Sequence, residues 1–365
     1  MHIVHIVGNR PQFIKLGILH KTIAAAGLAR QTIVHTGQHA SYEMSDIFFE
    51  QFSLPGADFQ LAVNHTSSDL FVGEASTAIQ SIIAPLTDCV VLVYGDTNTT
   101  LAGALAASRT GRPLLHFEAG VRTGEMTMPE EINRLLTDRL SQVNYCCTKL
   151  NYTNLQREGY GTAIDCTVLQ TGDLMYDAFL QTGIAATPPV SSTNYIACTI
   201  HRAGNITNPV PLHHIISALN IIHRQQEVIV PLHPHTAKRI AAFGLEPAFT
   251  TIAPLGYLEM KRFLQDAALV ITDSGGTARE SYFFKKRSLV VAENPFWPEI
   301  MEAGAALHCK ARENDIIQAL AQLQAMETSF ELPLFGKGDA ALRVCQHLST
   351  LKASPYFIKP IPENR

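Results

Sequence analysis

The chain has 365 residues, too many for one ordinary hydrophobic core, so two domains of roughly 170 residues each are expected. Charged residues make up only 16% and the formal net charge is -4, which argues against a nucleic-acid binder or a polybasic membrane-surface protein and leaves a small molecule as the expected partner. Seven cysteines, scattered and never spaced as Cys-x-x-Cys, are the pattern of reduced thiols in a cytoplasmic protein, and the apolar start over 3–7 is too short for a signal core or a membrane span.

From the start, short apolar runs alternate with amphipathic stretches. Strands are expected at 3–7, 31–35, 89–94, 113–117 and 143–147, the pattern of a parallel sheet covered by helices on both faces. The loose run Thr187-Pro188-Pro189-Val190-Ser191-Ser192-Thr193 interrupts the alternation, which restarts with strands at 195–199, 227–231, 251–253, 269–271 and 288–291. The expected division is an N-terminal domain over 1–172, a linker over 173–192, a nucleotide-binding domain over 193–335 and a last segment over 336–365. That segment opens with Gly336-Lys337-Gly338 and is helical in composition from 339 to 351. Two doubly wound halves would place their strand ends, and the loops there, around one cleft.

The chemistry-bearing residues fall on those loops. After the first strand comes Gly8-Asn9-Arg10-Pro11-Gln12-Phe13-Ile14-Lys15, where a forked donor on Arg10 and a point charge on Lys15 suit a diphosphate; a plain helix start with solvated cations is the alternative. This run is not a Gly-x-Gly-x-x-Gly fingerprint, which weakens a nicotinamide reading. Asp96, after the strand 89–94, is either a cleft acid or the cap of a helix beginning at Thr97. Glu118 follows the strand 113–117 and, with Gly120 and Arg122 next, is expected to face a cleft. Pro129-Glu130-Glu131 opens a helix, so Glu130 is either a cleft acid or an ordinary first-turn carboxylate.

In the second half, His201 and Arg202 end one strand and are read as donors to phosphate oxygens, while His233 ends the next as a site residue or a buried histidine with one backbone hydrogen bond. The 15 histidines show no convincing metal spacing, and no metal is expected. The most informative run is Thr272-Asp273-Ser274-Gly275-Gly276-Thr277-Ala278-Arg279-Glu280, in which a strand empties into a glycine pair that opens a helix. Free N–H groups there suit phosphate, and Glu280 is placed to take the two hydroxyls of a ribose; the alternative is a simple turn with Ser274 as cap.

These motifs together resemble the non-hydrolysing UDP-N-acetylglucosamine 2-epimerases over nearly the whole chain. The matching stretches are Gly8-Asn9-Arg10-Pro11, Thr36-Gly37-Gln38-His39, the run from Gly95 to Gly103, His116-Phe117-Glu118-Ala119-Gly120-Val121-Arg122, Pro129-Glu130-Glu131-Ile132-Asn133-Arg134, His201-Arg202, and Asp273-Ser274-Gly275-Gly276 with Glu280. The resemblance implies an α/β protein of two Rossmann-like domains in a GT-B arrangement with an interdomain cleft, a homodimer, and a final helix packed back on the N-terminal domain. Gln12, Met128-Pro129, Gly172-Asp173, Pro231-Leu232-His233-Pro234 and Trp297 look closer to a subgroup acting on UDP-2,3-diacetamido-2,3-dideoxyglucuronate. Asn9 in place of threonine, Gly204 in place of a glutamate and the run Asn294–Glu299 depart from both patterns, and bear on sugar contacts more than on the nucleotide site.

The family's route couples removal of the C2 proton to departure of UDP from C1, giving a 2-acetamidoglucal to which UDP is re-added. On that route Asp96, Glu118 and Glu130 form the acid/base group with His201 beside them. UDP is held by Arg10, Lys15, His201, Arg202, Ser274, Gly275, Gly276 and Glu280, and the sugar by Gln38, His39, Arg122 and His233. Electrons return to the same carbon skeleton, so no cofactor is required. UDP-N-acetylglucosamine stands first as substrate, and the product is expected to feed bacterial surface polysaccharide synthesis. The rival readings are the diacetamido-uronate, a hydrolysing epimerase, a GT-B glycosyltransferase, or a UDP-sugar-binding regulator that has lost catalysis.

Overall fold

The computed structural model describes residues 1–38, 46–63 and 67–352. The chain folds as two compact units, one made of Met1–Gln181 with Phe335–Arg365 and the other of Thr182–Leu334.

The first unit carries β1 (His2–Val7), β2 (Arg30–His35), β3 (Phe59–Gln60), β4 (Cys89–Tyr94), β5 (Leu114–Phe117), β6 (Val143–Cys146) and β7 (Thr167–Gln170), in the order β3-β2-β1-β4-β5-β6-β7. Every neighbouring pair is parallel; Val4, for example, faces Thr32 on β2 and Val91 on β4. β1 and β4 are buried along their whole length, as strands covered by helices on both faces must be. The order reverses between β1 and β4, which opens a crevice at their C-terminal ends.

The helix Leu174–Gln181 lies inside the stretch expected as linker and buries Leu174, Met175 and Ala178 in this unit. Its Asp177 accepts hydrogen bonds from Ala340 N and Ala341 N at 3.2 and 2.8 Å, satisfying free amides at the start of the final helix, Ala340–Lys352. Tyr145 Oη meets His347 Nδ1 at 2.9 Å further along that helix.

The second unit repeats the scheme with β8 (Ile196–Thr199), β9 (Val228–Pro231), β10 (Thr250–Ile252), β11 (Leu269–Thr272), β12 (Ser288–Val291) and β13 (Ala306–Cys309), ordered β10-β9-β8-β11-β12-β13 and parallel throughout. Its switch point lies between β8 and β11. One face is sealed by Leu212, Ile215, Leu219, Ile316 and Leu320, which share a single apolar cluster with strand residues such as Ile196 and Ile271. All seven cysteines are free thiols, and among the described residues no helix is long and apolar enough to cross a membrane.

Candidate active site

In the first unit β1 ends at Val7, and Gly8 and Asn9 turn the chain into the helix Arg10–Ala25. A Cβ on Gly8 would run into the hydroxyls of Thr36 and Thr99, so only glycine lets the turn pass this close. Asn9 caps the helix, its Oδ1 accepting from Gln12 N at 3.3 Å. Gln12 is buried and internally committed: Oε1 accepts from Gly8 N at 2.8 Å, and Nε2 donates to Tyr94 O at 2.8 Å and toward the hydroxyls of Thr97 and Thr100 at 3.1 and 3.0 Å. It braces the turn after β1 against the turn after β4. Arg10, at the first helical position, lies with its guanidinium 5.4 Å from the centre of the Phe48 ring.

Asp96 does not cap the helix after β4. That helix is Asn98–Arg109, and Thr97 is its N-cap residue, with the Thr100 hydroxyl accepting from Thr97 N at 3.2 Å. The Asp96 carboxylate instead pairs with Arg134, whose other amino group meets Glu131 at 2.8 Å. Asn133 Nδ2 donates to Asp96 O at 2.9 Å, so the helix Pro129–Leu140 grips Asp96 at both its side chain and its backbone.

Glu118 follows β5 with φ of 76°, a left-handed conformation that costs a non-glycine residue energy and persists only where its surroundings hold it. Its carboxylate pairs with the ammonium of Lys15, and both side chains are largely out of solvent. Lys15, expected to add a charge to a diphosphate, therefore serves Glu118. Five residues into its helix it points inward and is buried, its ammonium passing close to Gly95.

Glu130 stands partly exposed in the first turn of the helix Pro129–Leu140, and its carboxylate makes no hydrogen bond or ion pair among the described residues. Its neighbour Glu131 is structural, accepting from Thr123 N at 3.1 Å, Gly124 N at 3.0 Å and Arg134 at 2.8 Å. Burial works to raise the Glu131 pKa, but those backbone donors and Arg134 outweigh it and leave the pKa below the ordinary value.

Two sugar-site expectations change in character. Arg122 is spent on structure: it grips Glu158 through two bonds of 2.8 Å and Asp138 at 2.7 Å, because the chain turns at Gly120 and directs it back against the helix that bears Asp138. Gln38 lies in the crevice region, its Oε1 accepting from the Thr99 hydroxyl at 2.8 Å. His39 lies outside the described residues.

In the second unit β8 delivers His201 and Arg202, and β11 delivers Asp273, Ser274 and the helix Gly275–Phe283. Asp273 is fully buried and ties the two loops together, its carboxylate accepting from His201 N at 3.0 Å, Arg202 N at 2.9 Å and Asn205 Nδ2 at 3.1 Å. The His201 side chain remains 46% exposed. Ser274 caps the helix, accepting from Thr277 N at 3.3 Å, while Gly275 and Gly276 stay partly open at its first turn. The cap reading of Ser274 thus holds, and it leaves the backbone of the glycine pair available to an anion.

The loop after β12 packs on this turn. Phe296 has the Arg202 guanidinium 3.6 Å from its ring centre on one side, and a Cβ on Gly275 would come within 3.0 Å of it. Trp297 Nε1 donates to Gly275 O at 3.0 Å. Glu280 lies on the second turn of the helix, near the buried ammonium of Lys261. Burial pushes the Lys261 pKa down to about 8, with the charge of Glu280 acting to raise it.

His233 is exposed and caps its helix, Nδ1 accepting from His235 N at 3.2 Å, so it is no core histidine. What burial it has, together with nearby His201 and His235, lowers its pKa. Among the described residues no cluster of histidine, cysteine or carboxylate groups has the makings of a metal site.

The family profile described as UDP-N-acetylglucosamine 2-epimerase matches residues 21–349. The chain belongs to this family. It is 39% identical over 355 residues to the UDP-2,3-diacetamido-2,3-dideoxy-D-glucuronate 2-epimerase of Pseudomonas aeruginosa, covering 96% of this chain and 100% of that protein. It is 32% identical to the UDP-N-acetylglucosamine 2-epimerase of Methanocaldococcus jannaschii, covering 94% of this chain and 98% of that one. The crystal structure of a Methanocaldococcus jannaschii UDP-GlcNAc 2-epimerase with UDP-GlcNAc and UDP resembles this chain with a TM-score of 0.87 at 30% identity, covering 96% and 100% of the two chains. A UDP-GlcNAc 2-epimerase from Neisseria meningitidis bound to UDP-GlcNAc gives 0.84 at 25% identity, covering 97% and 100%.

Asp138, which holds the turn after β5, and Asn205, which helps Asp273 hold His201 and Arg202, lie outside the matching stretches. Asn133, Arg134 and Asp273 stand inside them, but a stretch of sequence does not show that the first two hold Asp96 and the third holds the loop after β8. One signal was there to be used: Glu130, Arg134 and Asp138 recur every four residues, which puts them on one face of a helix.

Proposed function

We propose that the chain epimerises C2 of a UDP-linked 2-acetamido sugar by elimination and re-addition of UDP. The observation that carries this is Glu118. A carboxylate is held in a strained left-handed turn beside a buried ammonium, one strand over from the turn that carries Asp96, and the helix that grips Asp96 also bears the unengaged carboxylate of Glu130.

C2 of such a sugar has no neighbouring carbonyl, so its proton is taken only as the C1–O bond to UDP breaks. The base receives the proton, the electron pair of the C2–H bond becomes the C1=C2 bond of the glycal, and UDP leaves with the C1–O pair. Return of a proton to C2 from the opposite face, with re-addition of UDP at C1, completes the inversion. Asp96, Glu118 and Glu130 are the proton-transfer set. Arg10, His201, Arg202 and the amides of Ser274, Gly275 and Gly276 are the set for the leaving diphosphate, with Glu280 for the ribose. Gln38, His39 and His233 are the candidates for the sugar. The enzyme would work as a cytoplasmic homodimer in surface polysaccharide synthesis, as the family resemblance implies.

For the sugar, the family description supports UDP-N-acetylglucosamine, and the 39% identity to the Pseudomonas aeruginosa enzyme favours the diacetamido-uronate. Gln12 and Trp297 no longer bear on this by direct contact, since both are spent on bracing turns. With the two sugars compared side by side, kcat/KM for the uronate should exceed that for UDP-N-acetylglucosamine by more than about tenfold, because an unmatched charge in a closed site costs several kcal/mol. A preference for UDP-N-acetylglucosamine would overturn the uronate assignment and leave the reaction type standing.

A further inference from the structure

The helix Pro129–Leu140 presents Glu130, Arg134 and Asp138 on one face; Glu130 belongs to the proton-transfer set, Arg134 pairs with Asp96, and Asp138 pairs with neither acid. Asp138 is fully buried. Its Oδ1 meets His116 Nδ1 at 2.7 Å, and its Oδ2 accepts from Gly120 N at 3.1 Å and lies 2.7 Å from Arg122 Nη1. Burial works to raise the Asp138 pKa, and His116 and Arg122 outweigh it and hold it below the usual carboxylate range. His116, also fully buried, turns its other nitrogen, Nε2, to the carbonyl oxygen of Gly95 at 2.7 Å. A carbonyl only accepts, so Nε2 carries the hydrogen there.

The two ends of this chain of bonds reach the two acid-bearing turns. Gly95 O belongs to the same rigid peptide plane as the nitrogen of Asp96, so a bond on it fixes the direction in which Asp96 leaves the turn after β4. Gly120 N lies two residues beyond Glu118, in the turn after β5.

We propose that His116 and Asp138 are positioning residues that lock the turn carrying Asp96 to the turn carrying Glu118, so that the two carboxylates keep one spacing through the proton transfers. The pair touches no substrate. This rests on the epimerase reading, and it adds that the rate of proton transfer, rather than UDP binding, depends on a buried pair beneath the site.

Two substitutions separate the halves of the clamp. In His116→Asn the amide nitrogen stands near the place of Nδ1, keeping the bond to Asp138 and losing Gly95; in His116→Gln it stands near Nε2 and keeps Gly95. His116→Asn should lower kcat and the rate of C2 proton exchange by about 10- to 100-fold, the cost of a misplacement on the order of 1 Å. KM and UDP affinity by calorimetry should stay near wild type, and His116→Gln, which keeps Gly95 and gives up Asp138, should lose rate in the same direction, since either break parts the two turns. The proposal is overturned if either variant exchanges the C2 proton at the wild-type rate, or if the loss appears in KM and UDP affinity instead of kcat. Failure of both variants to fold would make the pair a folding element and would overturn it too. Failure of the epimerase reading looks different: the unaltered enzyme would then exchange no C2 proton with either UDP-sugar.

Discussion

Glu118→Gln should cut turnover by at least roughly 100-fold while leaving UDP affinity near wild type, since it removes proton transfer at unchanged volume. The structure adds a second consequence. Lys15 is buried and gives its ammonium to Glu118, so an amide in that place leaves a cation without its counter-charge. Breaking a pair of this kind from one side costs about 3 kcal/mol or more, and the variant should therefore also unfold at lower urea concentration. The two effects are separable, because kcat per folded molecule and calorimetric UDP affinity do not report on stability. Near-normal kcat in the folded fraction would remove Glu118 from the acid/base set, whatever happened to the melting point.

The second large effect is expected at Asp273, in the other unit. Asp273→Asn replaces one carboxylate oxygen by an amino group, and that group must face donors: His201 N, Arg202 N or Asn205 Nδ2, all now within 3.1 Å. With the amide oxygen in the place of Oδ2, the amino group is set against His201 N, and the loop holding His201 and Arg202 loses the charge that anchors it. UDP binding should weaken by about 100-fold, which is ~3 kcal/mol, in keeping with bonds to charged groups worth about 1.5 to 3 kcal/mol each. Calorimetry with UDP alone checks this without any sugar chemistry. An unchanged UDP affinity would show that the loop after β8 does not hold the nucleotide.

The central strands were legible because they are covered on both faces and therefore read as continuous apolar runs; the β4 sequence, Cys89 to Tyr94, is the clearest case, and its bounds agree with the structure. Three strands left no such signal, β3, β7 and β13, and all three are sheet edges. Thr167–Gln170 has no fully buried position and only two apolar residues, so nothing distinguishes it from a loop until β6 is there to pair with it. The helix Leu174–Gln181 was absorbed into an expected linker for a related reason: the proline-rich run further along drew the boundary too early.

For the site, a motif shows which residues stand at strand ends but is silent on what they touch. Asp96, Glu118 and His201 follow the C-terminal ends of β4, β5 and β8, and Glu130 and the glycine pair stand in the first turns of helices. Arg122 and Lys15 have the right charge for a phosphate or a sugar and are spent on Glu158, Asp138 and Glu118 instead. Those partners lie between 16 and 103 positions away in the chain, from Arg122 to Asp138 and from Lys15 to Glu118, and no local pattern records them.

The central claim is a reversible elimination at C2, and epimerisation in deuterium oxide tests it most directly. The abstracted proton exchanges with solvent before a proton returns, so NMR of the inverted UDP-sugar should show one deuterium at C2 in every product molecule, with no free sugar accumulating. Retention of the original hydrogen at C2 in the inverted product would contradict the account.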